Sequence, residues 1–198
     1  MTHIDIGGAV LAGGASRRMG RDKAAIEIDG RAMARIALDA LRGAGIDRCI
    51  VVGGACGYGF PLVADLHPGE GPLGGVIGAL ATMDASRLVV LPCDLPWVGE
   101  EEIRLLLAGD DDSLDVVFGA VHGEIAAPIG VWHQSASGVL EKVFHMGERS
   151  FRGALASLRY GIVELGERAR DVDRPAELPV AGSLPGTPRT CREDHDDP

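Results

Sequence analysis

Ile4-Asp5-Ile6-Gly7-Gly8-Ala9-Val10-Leu11-Ala12-Gly13-Gly14-Ala15-Ser16-Arg17-Arg18-Met19-Gly20-Arg21-Asp22-Lys23 is the stretch on which the fold turns. A short apolar segment begins near Ile4, ends at Val10 and Leu11, and breaks into Ala12-Gly13-Gly14. That pattern reads as a buried strand delivering a glycine loop. Arg17, Arg18, Arg21 and Lys23 follow at once. Backbone N–H groups of a glycine loop, together with Arg and Lys, are a means of holding a polyphosphate. A solvated basic loop is the bland alternative, but composition alone would scatter these cations. Two familiar glycine signatures are absent: Gly13 is not followed by Gly-Lys-Ser/Thr, and no Gly-x-Gly-x-x-Gly occurs between Gly7 and Gly20.

Working outward, Asp29-Gly30 marks a turn, and Met33, Ala37, Ala40, Leu41 and Ala44 recur at helical spacing. Asp29 is the expected cap of that helix, and Gly43 to Gly45 close it. Cys49-Ile50-Val51-Val52 reads as a short buried strand ending at Gly53-Gly54, and residues 73–83 as an apolar helix despite its glycines. Leu88-Val89-Val90-Leu91 is the clearest buried strand, stopped by Pro92-Cys93-Asp94-Leu95-Pro96. Glu100, Glu101 and Glu102 then open a helix at the end its dipole favours. Residues 115–121 and 124–131 read as strands around a His122-Gly123 turn. Helices near 135–144 and 151–158 and a strand near 160–165 complete the pattern. Alternating strands and helices imply an α/β layered fold with a mostly parallel sheet, to which the hairpin adds antiparallel character. Residues 1–178 read as one domain. From Pro179 prolines and charges prevail, so residues 179–198 read as a disordered acidic tail.

Length and composition bound the function. The chain has 198 residues and is 46% hydrophobic, enough for one domain with a core that needs neither disulfides nor structural metal. Its formal net charge of −10 argues against non-specific binding to nucleic acid or anionic membrane. An anionic substrate remains compatible where cations are concentrated, as they are after Gly14. The cysteines at 49, 56, 93 and 191 form no C-x-x-C pair, and Cys49 and Cys56 read as free thiols. No signal peptide or membrane span is recognised, so the expectation is a soluble, cytoplasmic protein.

Four segments, in order, carry a resemblance. Leu11-Ala12-Gly13-Gly14-x-Ser16-x-Arg18-Met19-Gly20-x-Asp22-Lys23 is similar to the N-terminal signature of nucleotidyltransferases of the molybdenum cofactor guanylyltransferase type. Gly71-Pro72-Leu73-Gly74-Gly75, Pro92-Cys93-Asp94-Leu95-Pro96 and Asp171-Val172-Asp173-Arg174-Pro175-Ala176-Glu177-Leu178 resemble that family's later motifs, so the likeness spans about residues 6–178. It implies a three-layer, Rossmann-like fold and Mg²⁺-dependent transfer of GMP from GTP to molybdopterin with release of pyrophosphate. It also implies proteins that deliver the cofactor and accept the product. Position by position, Leu11, Ala12, Gly13 and Gly14 would hold the nucleotide through the backbone. Arg18 and Lys23 would bind the triphosphate and act in catalysis. Asp65 would contact the nucleotide, and Asp94 would bind both the nucleotide and Mg²⁺.

The chemistry supports this set independently. Transfer brings two anions together, so Lys23 and Arg18 would lower their repulsion and stabilise charge on the leaving group. Mg²⁺ needs a hard oxygen ligand, and Asp94 at the end of a buried strand supplies one. Other readings stand beside these. Asp94 could cap a helix, and Asp173 is either a second metal ligand or a cap for residues 175–178. Asp65 could be a turn residue. Arg149 could meet an acceptor phosphate or lie in a solvated helix start capped by Ser150. The chain departs from the family where Gly53-Gly54 replaces a usual Asn, and where Asp171, Asp173 and Arg174 replace Asn, Asn and Thr. Base and acceptor choice are therefore open. The alternatives are CTP with molybdopterin, a nucleoside triphosphate with a sugar phosphate, or a catalytically silent nucleotide-binding adaptor.

Overall fold

The computed structural model describes residues 5–13 and 22–171. Strand β1 (Ile6–Leu11) is followed by a 3-10 turn at Lys23–Ala25 and a small hairpin, β2 (Glu27–Ile28) and β3 (Arg31–Ala32). Then come α1 (Met33–Gly43), β4 (Cys49–Val52), β5 (Leu62–Val63), α2 (Pro72–Thr82) and β6 (Arg87–Pro92). Helix α3 (Glu100–Ala108), strands β7 (Val116–Val121) and β8 (Glu124–His133), helices α4 (Ala136–His145) and α5 (Phe151–Ala154), and strand β9 (Tyr160–Glu164) complete the described fold.

The central sheet has seven strands in the order β5-β4-β1-β6-β8-β7-β9. Its pairings are parallel except the two made by β8, with β6 and with β7. The expected mostly parallel α/β fold is therefore the observed one, with a single antiparallel strand. Alternate residues feed two cores. Ala9, Leu11, Ile50, Val52, Leu88 and Val90 face α2, α4 and α5, whereas Val10, Val51, Val89 and Leu91 face α1 and α3. Burial on both faces explains why these strands are uninterrupted apolar runs.

From β1 the chain moves outward to β4 and β5, then returns through α2 to β6 on the other side of β1. The boundary between β1 and β6 is thus the topological switch point, and its crevice opens at their carboxyl ends. Leu11 and Pro92 are paired there, so Gly13 and Asp94 leave the sheet side by side.

Asp29 does not cap α1. It sits at φ 51° with Gly30 at φ 74°, forming the turn of the β2–β3 hairpin, and α1 begins after Ala32 with no side-chain cap. Asp-Gly between two extended residues prefers that primed turn, which used the aspartate first. The expected helix at 151–158 is instead α5 followed by a 3-10 turn at Leu155–Ser157. Cys49 and Cys56 are free thiols. Among the described residues no helix is long and apolar enough to cross a membrane. The expected tail, with the rest of the segment from residue 172, lies outside the described residues.

Candidate active site

Three strand ends meet almost backbone to backbone. The Ala12 and Gly13 N–H groups both donate to the Val52 carbonyl, at 2.9 and 3.2 Å, and Gly53 N donates to Val63 O at 2.9 Å. A Cβ on Gly53 would lie 2.7 Å from Gly13 Cα, and Gly53 has φ +72°. Only glycine meets both conditions without displacement. Across the switch point, Cys93 N donates to Leu11 O at 3.1 Å, which fixes the start of the Pro92–Pro96 segment against β1.

Asp94 follows directly. Its Oδ2 accepts a hydrogen bond from Lys23 Nζ at 3.0 Å, with the two side chains 20% and 16% exposed. Lys23 opens the 3-10 turn, whose cap is Asp22: Asp22 Oδ1 accepts from Ala24 N at 3.0 Å. Asp22 therefore sets where Lys23 starts, and the ammonium group spans to the strand end from which Asp94 projects.

The pair borders a cavity of about 490 Å³. Leu11, Ala12, Gly13, Lys23, Asp65 and Asp94 all line it, so residues scattered along the sequence are gathered at one place. Asp65 serves two ends at once. Its Oδ1 accepts from His67 N at 2.9 Å, a local turn, while Oδ2 lies 3.4 Å from a Cβ built on Gly13. Opposite stand Gly71, Pro72 and Gly75 from the first turn of α2, a helix with no side-chain cap. Its N-terminal N–H groups and dipole favour an anion. Cys93 also lines the cavity, but burial, with Asp94 adding, pushes its thiol up to about 12. It is a wall rather than a nucleophile at neutral pH.

Asp94 is not a helix cap: α3 is capped at Gly99, whose N–H donates to Glu102 Oε2 at 2.8 Å. Ser150 does cap α5, accepting from Gly153 N at 3.1 Å. The Arg149 side chain meets Glu70 and the Phe144 carbonyl, while its own carbonyl lies beside Gly71 of the cavity wall. Gly14, Arg18 and Asp173 lie outside the described residues. Sequence reasoning assigned no part in the site to Ala126, Ala127, Pro128 and Ile129 of β8, or to Asp171, all of which line the cavity. The β8 residues carry no polar side chain, so only the antiparallel return of that strand reveals them. Asp171 was visible as a departure from the family's Asn.

An open sheet with a switch-point cavity, a glycine turn and a Lys–Asp pair is an arrangement suited to a nucleoside triphosphate. The chain belongs to the family described as MobA-like NTP transferase domain, which matches residues 8–162. It is 42% identical over 102 residues to a molybdenum cofactor guanylyltransferase of Xanthomonas euvesicatoria, covering 51% of this chain and 53% of that one. The match thus spans about half the length of that relative. A probable molybdenum cofactor guanylyltransferase of Geobacillus is 30% identical over 151 residues, covering 69% of this chain and 74% of that one. Among solved structures, the molybdopterin-guanine dinucleotide biosynthesis protein A of Archaeoglobus fulgidus superposes with a TM-score of 0.70 at 23% identity, over 86% of this chain and 94% of that one. The last likeness concerns the fold.

Proposed function

We propose that this nucleotidyltransferase transfers GMP from GTP to molybdopterin, releasing pyrophosphate and forming the guanine dinucleotide form of the cofactor. The observation that carries the reading is the Lys23–Asp94 pair at the border of the switch-point cavity, with Asp65 beside Gly13 in the same cavity. The relatives named as guanylyltransferases support the choice of donor and acceptor.

An acceptor phosphate oxygen attacks the α-phosphorus as the bond to the β-phosphate oxygen breaks and pyrophosphate leaves. The Lys23 ammonium group offsets charge on the triphosphate and on the departing pyrophosphate. The first turn of α2 presents N–H groups to the same phosphates. The Asp65 carboxylate accepts from guanine, whose N1–H and 2-amino group form a donor pair that cytosine lacks. Leu11, Ala12 and Gly13 supply backbone along the nucleotide.

The donor set fits Mg²⁺. Asp94 offers a hard carboxylate oxygen at the cavity, and no group of three or more ligating side chains comes together among the described residues. Such a site suits a cation that takes one or two carboxylates and completes its shell with phosphate oxygens and water. When bound, Mg²⁺ would neutralise phosphate charge during transfer. Asp94 would hold it, and Asp173 would be the second ligand.

The test is Mg²⁺-dependent pyrophosphate release with molybdopterin as acceptor, comparing GTP, CTP, ATP and UTP. A clear preference for GTP is expected. Preference for CTP would move the protein to the cytidylyl branch, and release with none of the four would remove the proposed function.

A further inference from the structure

We infer that Arg149 is a positioning residue that holds the segment carrying Asp65 against the nucleotide cavity. This inference rests on the reading of Asp65 as the group that meets the base. Arg149 follows α4 and is itself well fixed. Its Nη1 donates to Phe144 O at 2.6 Å and Glu148 O at 3.1 Å, and its guanidinium carbon lies 3.9 Å from the centre of the Phe144 ring. From there its Nε donates to the Glu70 carboxylate, an ion pair between segments 79 residues apart.

Glu70 belongs to a short segment whose contacts lead back to Asp65. Glu70 N donates to His67 O at 3.1 Å, and His67 N donates to Asp65 Oδ1 at 2.9 Å. The His67 ring packs on Phe144 at 4.4 Å between centroids, so one aromatic ring contacts both His67 and Arg149. A Cβ on Gly74 would lie 2.7 Å from His67 Cβ, so α2 closes the remaining side. The segment from Asp65 to Gly71 is thus held at both ends: by its own turn at Asp65 and by Arg149 at Glu70.

Energetics separate positioning from bulk stability. The Arg149 and Glu70 side chains are 41% and 48% exposed, so their ion pair adds little to global stability. Its effect is local, because it meets the segment at Glu70 alone, and that segment forms part of the cavity through Asp65, Gly69 and Gly71. An arginine that bound an acceptor phosphate would act on the acceptor. An arginine that holds Glu70 acts on the nucleotide.

The experiment has two arms, both on the full chain. In hydrogen exchange without nucleotide, Arg149→Ala is expected to speed exchange across residues 65–71 about tenfold while leaving the central strands unchanged. Unchanged exchange in that segment overturns the inference. In kinetics, Arg149→Ala is expected to raise KM for GTP about tenfold with kcat nearly unaltered, and to narrow the preference for GTP over ITP, which lacks the 2-amino group. In an Asp65→Asn background the same change should cost less than about threefold, since the two act through one contact. Equal costs in both backgrounds, or a rise confined to the acceptor's KM, overturn it. Should Asp65→Asn alone leave the GTP-over-ITP preference intact, the reading of Asp65 fails instead, and the exchange arm still decides whether Arg149 holds the segment.

Discussion

The two ends of the parallel strands carry similar chemistry in opposite arrangements. At the carboxyl ends, Lys23 and Asp94 pair at 3.0 Å on the border of a cavity. At the amino ends, Arg87 of β6 donates through Nε to Asp110 Oδ2 at 2.8 Å, and His133 Nε2 lies 2.6 Å from Asp110 Oδ1. Nearby, Asp115 accepts from Arg159 N, Nε and Nη2 at 2.9, 3.1 and 2.6 Å, and from Ser135 Oγ at 3.2 Å. Burial does not distinguish the two ends sharply: the Arg87 and Asp110 side chains are 11% and 12% exposed, close to Lys23 and Asp94. What differs is commitment. The oxygens of Asp115 are occupied by donors from its own fold, whereas Asp94 faces open volume that a substrate can enter. Saturated charges fasten strands together, whereas the Lys23–Asp94 pair lies on a cavity where a substrate can reach it.

The sharpest way to break this contrast is to neutralise one carboxylate at the cavity end. Asp94→Asn keeps the shape and removes the charge. It is expected to lower Mg²⁺-dependent turnover about 10²–10³-fold with GTP binding largely retained and thermal unfolding little changed. Comparable loss of binding and stability would mean that the Lys23–Asp94 pair is a structural clasp like those at the other end.

The next change acts where fold and site share one atom. Gly53→Ala would place Cβ 2.7 Å from Gly13 Cα at φ +72°. Backbone on both sides leaves little room to yield, so stability should fall by about 1–3 kcal/mol. The displaced Gly13 turn should also weaken GTP binding about tenfold, a loss comparable to that of other couplings through packed backbone. Calorimetric unfolding and a GTP titration check the two parts. A loss of stability without a loss of affinity would show that the Gly13 backbone is only a strand end.

The two regions were also unequally legible in the sequence. The cavity end could be read because its chemistry is local: a glycine turn directly follows β1, and Cys93-Asp94 directly follows β6. The parallel pairing of Leu11 with Pro92 then brings both to one place. The amino-end network depends on partners separated by 23 and 44 residues, and none of its side chains differs in type from an ordinary surface charge. Only the antiparallel return of β8, which sets Arg87 opposite His133, makes the first cluster. Arg149 was only half legible for a related reason. Its segment left an acceptor contact and a solvated helix start both open, and Glu70, which meets it, is supplied by a distant segment that its neighbours do not announce. Asp29 failed more locally, since the hairpin turn and the helix cap competed for one aspartate. Strand β5 has only two residues, too short a segment to read as a strand, so it is recognisable only by its pairing with Val51 and Val52.

The smallest expected effect tests the saturated end. Asp115→Asn removes charge-assisted acceptance from Arg159, and at neutral pH should cost about 1–2 kcal/mol, reduced because the guanidinium remains largely exposed. Catalysis per folded molecule should be unchanged. The pH dependence sharpens the point. Hydrogen bonds from the Arg159 side chain, against opposing desolvation, hold the Asp115 carboxyl down to about 2, below its ordinary 3.8. A group depressed in the folded state stabilises it above the unfolded pKa, and that contribution is lost as pH falls through the folded value. The gap between the parent protein and Asp115→Asn in denaturant midpoint should therefore be constant above about pH 5 and narrow progressively from there toward about pH 1. A gap that keeps its full neutral-pH size at about pH 2 would mean that the variant is destabilised by altered packing rather than by lost charge. The amino-end network would then owe its strength to shape, and the contrast between saturated and available charge would hold only at the cavity.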